Sequence, residues 1–190
     1  MDPFVGYTTT MNQDEEQEDF LRVLKQLNVV QQAQQLEKEH RFWGTQPEYL
    51  TKFHLAAEFR EEEVAHWMVP RVGVVNAYVV ENPDTQDLTD VCSFYHLPST
   101  IIGNDKHKKL NAVYSFYNVA KSVTLTQLMQ DALIMAQKEK ADVFNALNVM
   151  ENVNMLQPLK FGPGSGELQY YLYNWRCPRM SSDRVGIVLC

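Results

Sequence analysis

The sequence predicts an α+β domain, a mixed sheet with helices packed against it. Three observations lead there. Apolar runs rich in Val, Tyr and Phe recur at residues 72–81, 90–97 and 112–119, separated by turn and loop residues. One amphipathic helix is unmistakable: Leu125, Leu128, Met129, Ala132, Leu133 and Ala136 fall at i, i+3, i+4, i+7, i+8 and i+11. From residue 60 the elements run αβββαβαββ, an irregular mixture rather than strict alternation.

Each element follows from local chemistry. Residues 1–13 read as disordered. From Asp14, the acidic stretch DEEQED suits a helix amino end, and Phe20, Leu24 and Leu27 form one stripe. VVQQAQQLEKEH continues that helix as a solvated, linker-like segment. RFWGTQP, Arg41 to Pro47, breaks it with two aromatics beside Gly and Pro, an anchored turn. A short helix is expected near Tyr49 to Leu55 and a second over residues 61–67, ended by Pro70. VGVVNAYVVE is a strand, ENPDTQD a turn, DVCSFYHL a strand stopped by Pro98, GNDKHKK a loop and AVYSFYNV a third strand. Thr124 followed by Gln127 reads as a capping box for the main helix. ADVFNALNV is a short strand and ENVNMLQPL a short helix. LQYYLYNWRC is a strand with Tyr171, Tyr173 and Trp175 on one face. VGIVLC closes the chain.

Composition removes several functions. The chain has 190 residues, enough for one domain with a real core, and 45% hydrophobic residues fit a globular protein. A net charge of −7 argues against nucleic acid, whose phosphates need a basic face. No apolar run is long enough for a transmembrane span, and the first residues lack the basic and apolar regions of a signal peptide. Cys92, Cys177 and Cys190 have no CxxC spacing, so neither a disulfide framework nor structural zinc is expected. The five histidines form no HExxH or HxH pattern, so no metal is expected. Cys92 sits in an apolar run and reads as a small hydrophobe. A reducing, cytoplasmic setting fits.

Two features point to chemistry. Val185 to Cys190 form an apolar run that ends the chain. Either it is an edge strand whose carboxylate reaches water, or it packs inward and carries that carboxylate with it. In the second case desolvation raises the pKa toward that of a useful base. KFGPGSGE, Lys160 to Glu167, is the glycine-rich segment. It is neither a P-loop, since no GK[ST] follows, nor a dinucleotide fingerprint, since a strand follows where a helix is required. It reads as a tight turn leading into the next strand, or as a place where two backbones approach closely. Ser99 stands at a strand end, where ligands often make contact. Tyr114 and Tyr117 read as core aromatics with hydroxyls at the rim.

The order of elements resembles a GNAT-type acyltransferase domain. EEEVAHW, AYVVEN, SFYHLPSTII, HKKLNAVYSFYNV, LMQDALIMA, DVFNALNVMEN, KFGPGSGELQYYLYNW and VGIVLC run in order over about residues 49–190. Together they resemble the carboxy-terminal half of the glycylpeptide N-tetradecanoyltransferase, or N-myristoyltransferase, family. RFWGTQP resembles a second family motif that normally lies far upstream. The resemblance implies a GNAT-like mixed sheet, one half of a pseudo-twofold pair, with residues 1–47 as an amino-terminal helical or linker segment and residues 48–190 as the peptide-binding domain. It implies transfer of a myristoyl group from myristoyl-CoA, a co-substrate, to the amino-terminal glycine of a protein, with no cofactor. The terminal α-carboxylate of Cys190 would be the base, and its thiol a bystander. Arg41, Phe42 and Trp43 would touch the acyl-CoA. Ser99, Tyr114 and Leu168 would line the peptide groove, beside the glycine loop at Gly162, Gly164 and Gly166.

Two departures qualify the resemblance. The family loop reads KFGxGDG and here Ser165 replaces the aspartate, which weakens any preference for basic substrates. The family block EINFLCVHK, which carries the oxyanion hole, is not in this sequence. An oxyanion donor contributes about 3 kcal/mol to transition-state stabilisation, so this chain alone is expected to be a poor catalyst or none. The alternative implied is a non-catalytic module that binds peptides or another chain.

Overall fold

The computed structural model describes residues 4–10, 33–35, 49–174 and 176–188. Among these residues the main sheet has seven strands: β1 (Phe4–Thr10), β2 (Ala33–Gln35), β4 (Val75–Glu81), β5 (Leu88–His96), β8 (Ala112–Ser115), β9 (Val143–Leu147) and β10 (Gly162–Leu168). Their spatial order is β10-β1-β9-β8-β5-β4-β2. β8 and β9 are parallel and the other neighbours antiparallel, so the sheet is mixed. Two small pairs flank it: β3 (Leu55–Ala56) with β11 (Val185–Gly186), parallel, and β6 (Ser99–Thr100) with β7 (Lys109–Leu110), antiparallel. The helices are α1 (Glu61–Met68), α2 (Leu125–Lys138) and α3 (Val153–Leu156). The mixed α+β sheet with packed helices is the architecture the sequence predicts.

Strand alternation divides the core in two. On one face Tyr78, Cys92, Phe94, Val113, Phe144 and Ala146 meet the apolar stripe of α2, with Tyr7 packed against them. On the other face Val79 and Val91 pack with Phe116, Tyr117, Val64 and Met68 of α1, and the terminal Val185 and Val188. Helix α2 starts where expected: the Thr124 hydroxyl accepts from the Gln127 amide at 3.2 Å. Helix α1 is capped differently. Glu63 reaches back to accept from the Arg60 amide at 2.8 Å, and three glutamates fill the first turn. In the turn after β4, Asn82 Oδ1 accepts from the amides of Asp84 and Thr85. Cys92 is buried as expected, its thiol pushed up to about 12 by burial and by the nearby Asp131 and Asp90 carboxylates. Among the described residues no helix is long and apolar enough to cross a membrane.

The structure corrects several expectations. Residues 4–10, read as disordered, form β1 between β9 and β10; FVGYTTT is rich in Val, Tyr and Thr, which suit a pleated surface. The glutamine-rich segment read as helix contains a strand, β2, because the free edge of β4 offers it a ladder; Ala33 pairs with Val80 and Gln35 with Tyr78. The helix stripe at Phe20, Leu24 and Leu27 lies outside the described residues. Leu55 belongs to β3 rather than to a helix. The third strand stops at Ser115 because buried side chains replace the ladder: Ser93 Oγ accepts from the Tyr117 amide and donates to its carbonyl, and Asn118 Oδ1 accepts from the Ser93 amide. Pairing resumes at Val119 with Val91. The glycine segment is itself the strand; of the run read as the following strand, Leu168 ends β10 and the described residues after it form no strand, with Tyr171 and Tyr173 exposed.

One buried carboxylate ties the sheet to α2. Asp90 Oδ1 accepts from the amides of Lys121, Ser122 and Val123 at 2.8, 2.9 and 3.2 Å, and Oδ2 accepts from the Ser122 hydroxyl. Burial alone would raise its pKa. The hydroxyls of Ser122 and Thr89 and the amides of Lys121 and Val123 outweigh that and hold it below the usual carboxylate range. Asp90→Asn should therefore cost about 2 kcal/mol at pH 7, since bonds to a charged acceptor are replaced by weaker ones. A group with a depressed native pKa gives stability above its unfolded pKa and loses it as pH falls through the native value. The deficit should shrink as the solution is acidified below the usual carboxylate range; urea midpoints whose deficit does not change on acidification would refute this.

Candidate peptide groove

Sheet register lines up the candidate residues. Tyr95 pairs with Tyr114, Tyr114 with Asn145, Asn145 with Thr8 and Thr8 with Gly162. These four side chains share the face opposite α2. The Tyr95 and Tyr114 rings stack at 5.4 Å, and Thr8 Oγ1 donates to Asn145 Oδ1 at 2.5 Å. The row is a polar and aromatic strip that runs toward the glycine strand.

At its end, β10 bulges. Val5 pairs with Glu167 and Tyr7 with Pro163, so Gly164, Ser165 and Gly166 all stand opposite Gly6. This bulge in an edge strand carries Ser165 out into solvent. Of the three glycines, Gly164 is the one that close approach requires: a Cβ there would lie 2.9 Å from the Gly6 carbonyl oxygen. Gly162 would meet only the Thr8 oxygen at 3.9 Å, and Gly166 nothing within 4 Å. The close-approach alternative thus holds at Gly164, and the turn reading does not.

The chain's last described residues fold inward onto this same face. Val185 is fully buried and Val188 is 8% exposed. Val185 accepts from the Met150 amide, and the Val188 amide donates to the buried Tyr117 hydroxyl at 3.2 Å. Tyr170, just after β10, donates its hydroxyl to the Ile187 carbonyl at 3.2 Å. Gly186 fits under the Phe53 ring, where a Cβ would come within 2.8 Å of Cδ2. Tyr170 therefore links the exit of β10 to the tail.

The structure does not gather every expected groove residue at one point. Ser99 pairs with Leu110 on the outlying hairpin and is exposed. From Leu110 to Tyr114 is roughly 13 Å along the chain at the usual rise. Three strand spacings, about 14 Å, separate Tyr114 from the β10 line. Ser99, Tyr114 and Gly164 to Leu168 mark the ends and middle of an extended surface rather than a compact pocket. Arg41, Phe42, Trp43 and Cys190 lie outside the described residues.

Residues 11–188 match the family described as Myristoyl-CoA:protein N-myristoyltransferase, C-terminal domain. The chain belongs to this family. Among its N-myristoyltransferase relatives, glycylpeptide N-tetradecanoyltransferase 1 of Arabidopsis thaliana is 52% identical over 142 residues, 74% of this chain and 33% of the relative. Glycylpeptide N-tetradecanoyltransferase 2 of Bos taurus is 55% identical over 141 residues, 74% of this chain and 28% of the relative. The crystal structure of Saccharomyces cerevisiae N-myristoyltransferase with bound myristoyl-CoA superposes with a TM-score of 0.81 at 27% identity, covering 99% of this chain and 57% of that one. The chain thus spans about a third of the length of these curated N-myristoyltransferase relatives.

Sequence reasoning missed Thr8, Asn145, Tyr95 and Tyr170. The β-prone FVGYTTT could have flagged β1, since Val, Tyr and Thr favour strands. Alternation sets Tyr170 and Tyr171 on opposite faces, but nothing in the sequence says that Tyr170 is the half-buried one, bonded to Ile187, and Tyr171 the exposed one.

Proposed function

We propose that this chain carries the peptide-binding half of protein N-myristoylation. Myristoyl-CoA is the acyl donor and the amino-terminal glycine of a protein the acceptor, with no metal and no further cofactor. The glycine ammonium first loses a proton. Its nitrogen then attacks the thioester carbonyl, the C–N bond forms, the C–S bond breaks, and the second proton shed by the nitrogen goes to the departing thiolate, so that coenzyme A leaves as the thiol.

The base is the terminal carboxylate of Cys190. The supporting observation is the inward course of the tail: Val185 and Val188 are buried and the Val188 amide is fixed on Tyr117, on the face that also carries Tyr114. The acceptor peptide lies along Ser99, Tyr114, the bulge at Gly164 and Ser165, and Leu168 just beyond it, within residues 48–190. Arg41, Phe42 and Trp43, in the segment up to residue 47, touch the acyl-CoA. The cytoplasm is the setting.

Isothermal titration with myristoyl-CoA and with a glycine-initiated peptide, alongside a coenzyme A thiol-release assay, tests this. Binding of both with turnover supports the reading. Peptide binding without turnover supports a non-catalytic peptide module instead. No signal with either ligand ends both.

Ser165 gives a second test. Ser165→Asp should tighten binding of peptides with Lys or Arg near the glycine by about two- to fivefold at low salt, the range of an exposed ion pair. Equal effects on basic and neutral peptides would contradict a contact at this position.

A further inference from the structure

Strand β1 is the unexpected component of this site. Among the described residues, β10 joins the main sheet through β1 alone, since the order is β10-β1-β9 and β9 does not pair with β10. Two strand spacings, about 10 Å, therefore separate β9 from β10, a slot one strand wide. β1 fills it with matched chemistry. Gly6 stands opposite the bulge, and its carbonyl oxygen comes so close to Gly164 that no side chain fits there. Thr8 binds Asn145 on β9, and Tyr7, on the opposite face, packs into the core beneath α2.

We propose that Phe4–Thr10 is a positioning strand for the groove: it fixes the glycine bulge in place, and without it Gly164–Leu168 have no ladder to stand on. The assignment deepens the peptide-groove reading in saying what β10 is held in place for. The holding itself is measured without any substrate, so the two fail separately.

The test is amide hydrogen exchange on four proteins: the full chain, the chain lacking residues 1–10, Gly164→Ala, and both changes together. In the full chain, amides of 162–168 facing β1 should be protected. Truncation should lower their protection tenfold or more while residues 75–96, in β4 and β5, keep theirs. Adding a synthetic peptide of residues 1–10 should restore it. Gly164→Ala should lower protection in the full chain, because the new Cβ meets the Gly6 oxygen, yet add nothing in the truncated chain. Protection at 162–168 unchanged by truncation would overturn the proposal. So would loss extending equally to 75–96, which would make β1 part of the common core rather than a strand that positions β10. Equal effects of Gly164→Ala in both backgrounds would overturn the Gly6 contact as the cause.

Discussion

Deleting Cys190 should abolish whatever glycine acylation the full chain supports, while Cys190→Ala should leave that activity nearly unchanged. The proposed base is a main-chain group, so the thiol is dispensable and the position of the carboxylate is not. Removing one residue withdraws the carboxylate by about 3.5 Å along an extended chain. The residues before it cannot slide to compensate: Val185 pairs with Leu55, Gly186 sits under Phe53, and Val188 is fixed on the Tyr117 hydroxyl. A misplacement of about 1 Å can already cost a hundredfold in rate, and general-base transfer is typically worth 10²–10⁴-fold, so the deletion should fall below detection. Thiol release from myristoyl-CoA with a glycine-initiated peptide reads this directly. Equal loss in the two variants would show that the side chain matters and would remove the carboxylate as base.

The second large effect concerns stability. Asp131 lies on the flank of α2, 4% exposed, and neither carboxylate oxygen has a hydrogen-bond partner among the described residues. Burial pushes its pKa up to about 6. Between pH 4 and 6 the unfolded chain has released this proton while the native chain still holds it. Native stability therefore falls as pH rises through that window and levels off above it. Holding the carboxyl at about 6 rather than in the usual carboxylate range corresponds to about 3 kcal/mol of penalty at pH 7. Asp131→Asn removes the charge at nearly constant volume and should raise stability by about that amount at pH 7.5, with almost no gain at pH 4. Urea midpoints at the two pH values test it, and an equal shift at both would show that charge is not the cause. Asp90 behaves in the opposite sense, because its carboxylate is satisfied by three amides and a hydroxyl. Two buried aspartates about one core thus tilt acid stability in opposite directions.

The main helix, the strands at 75–81, 88–96 and 143–147, and the short helix α3 were all legible, because each carries a hydrophobic period or a strong stop at its ends. Three features were not. β1 has no partner nearby in sequence, so nothing local marks it as the strand between β9 and β10. β10 is built mostly of glycine, proline and serine, residues that ordinarily signal a turn; it becomes a strand because β1 offers it a ladder, with Gly164 at the one point where a side chain would strike the Gly6 carbonyl. The break after Ser115 depends on Ser93 and Asn118, buried polar side chains that substitute for a ladder. In the groove, Tyr114 was named on kinship alone; its stacking on Tyr95 and its alignment with Asn145 are properties of the assembled sheet.

Phe4 pairs with Leu168, and this has a consequence for birth on the ribosome. At 5–20 residues per second, the interval between emergence of these two segments is on the order of ten seconds. Until β9 emerges, late in that interval, FVGYTTT is out in the open with neither of its mates, a β-prone ribbon able to adhere to other nascent chains. Yield from the cell should therefore depend on how well holdase chaperones mask the early part of the polypeptide, more than on the stability of the finished molecule.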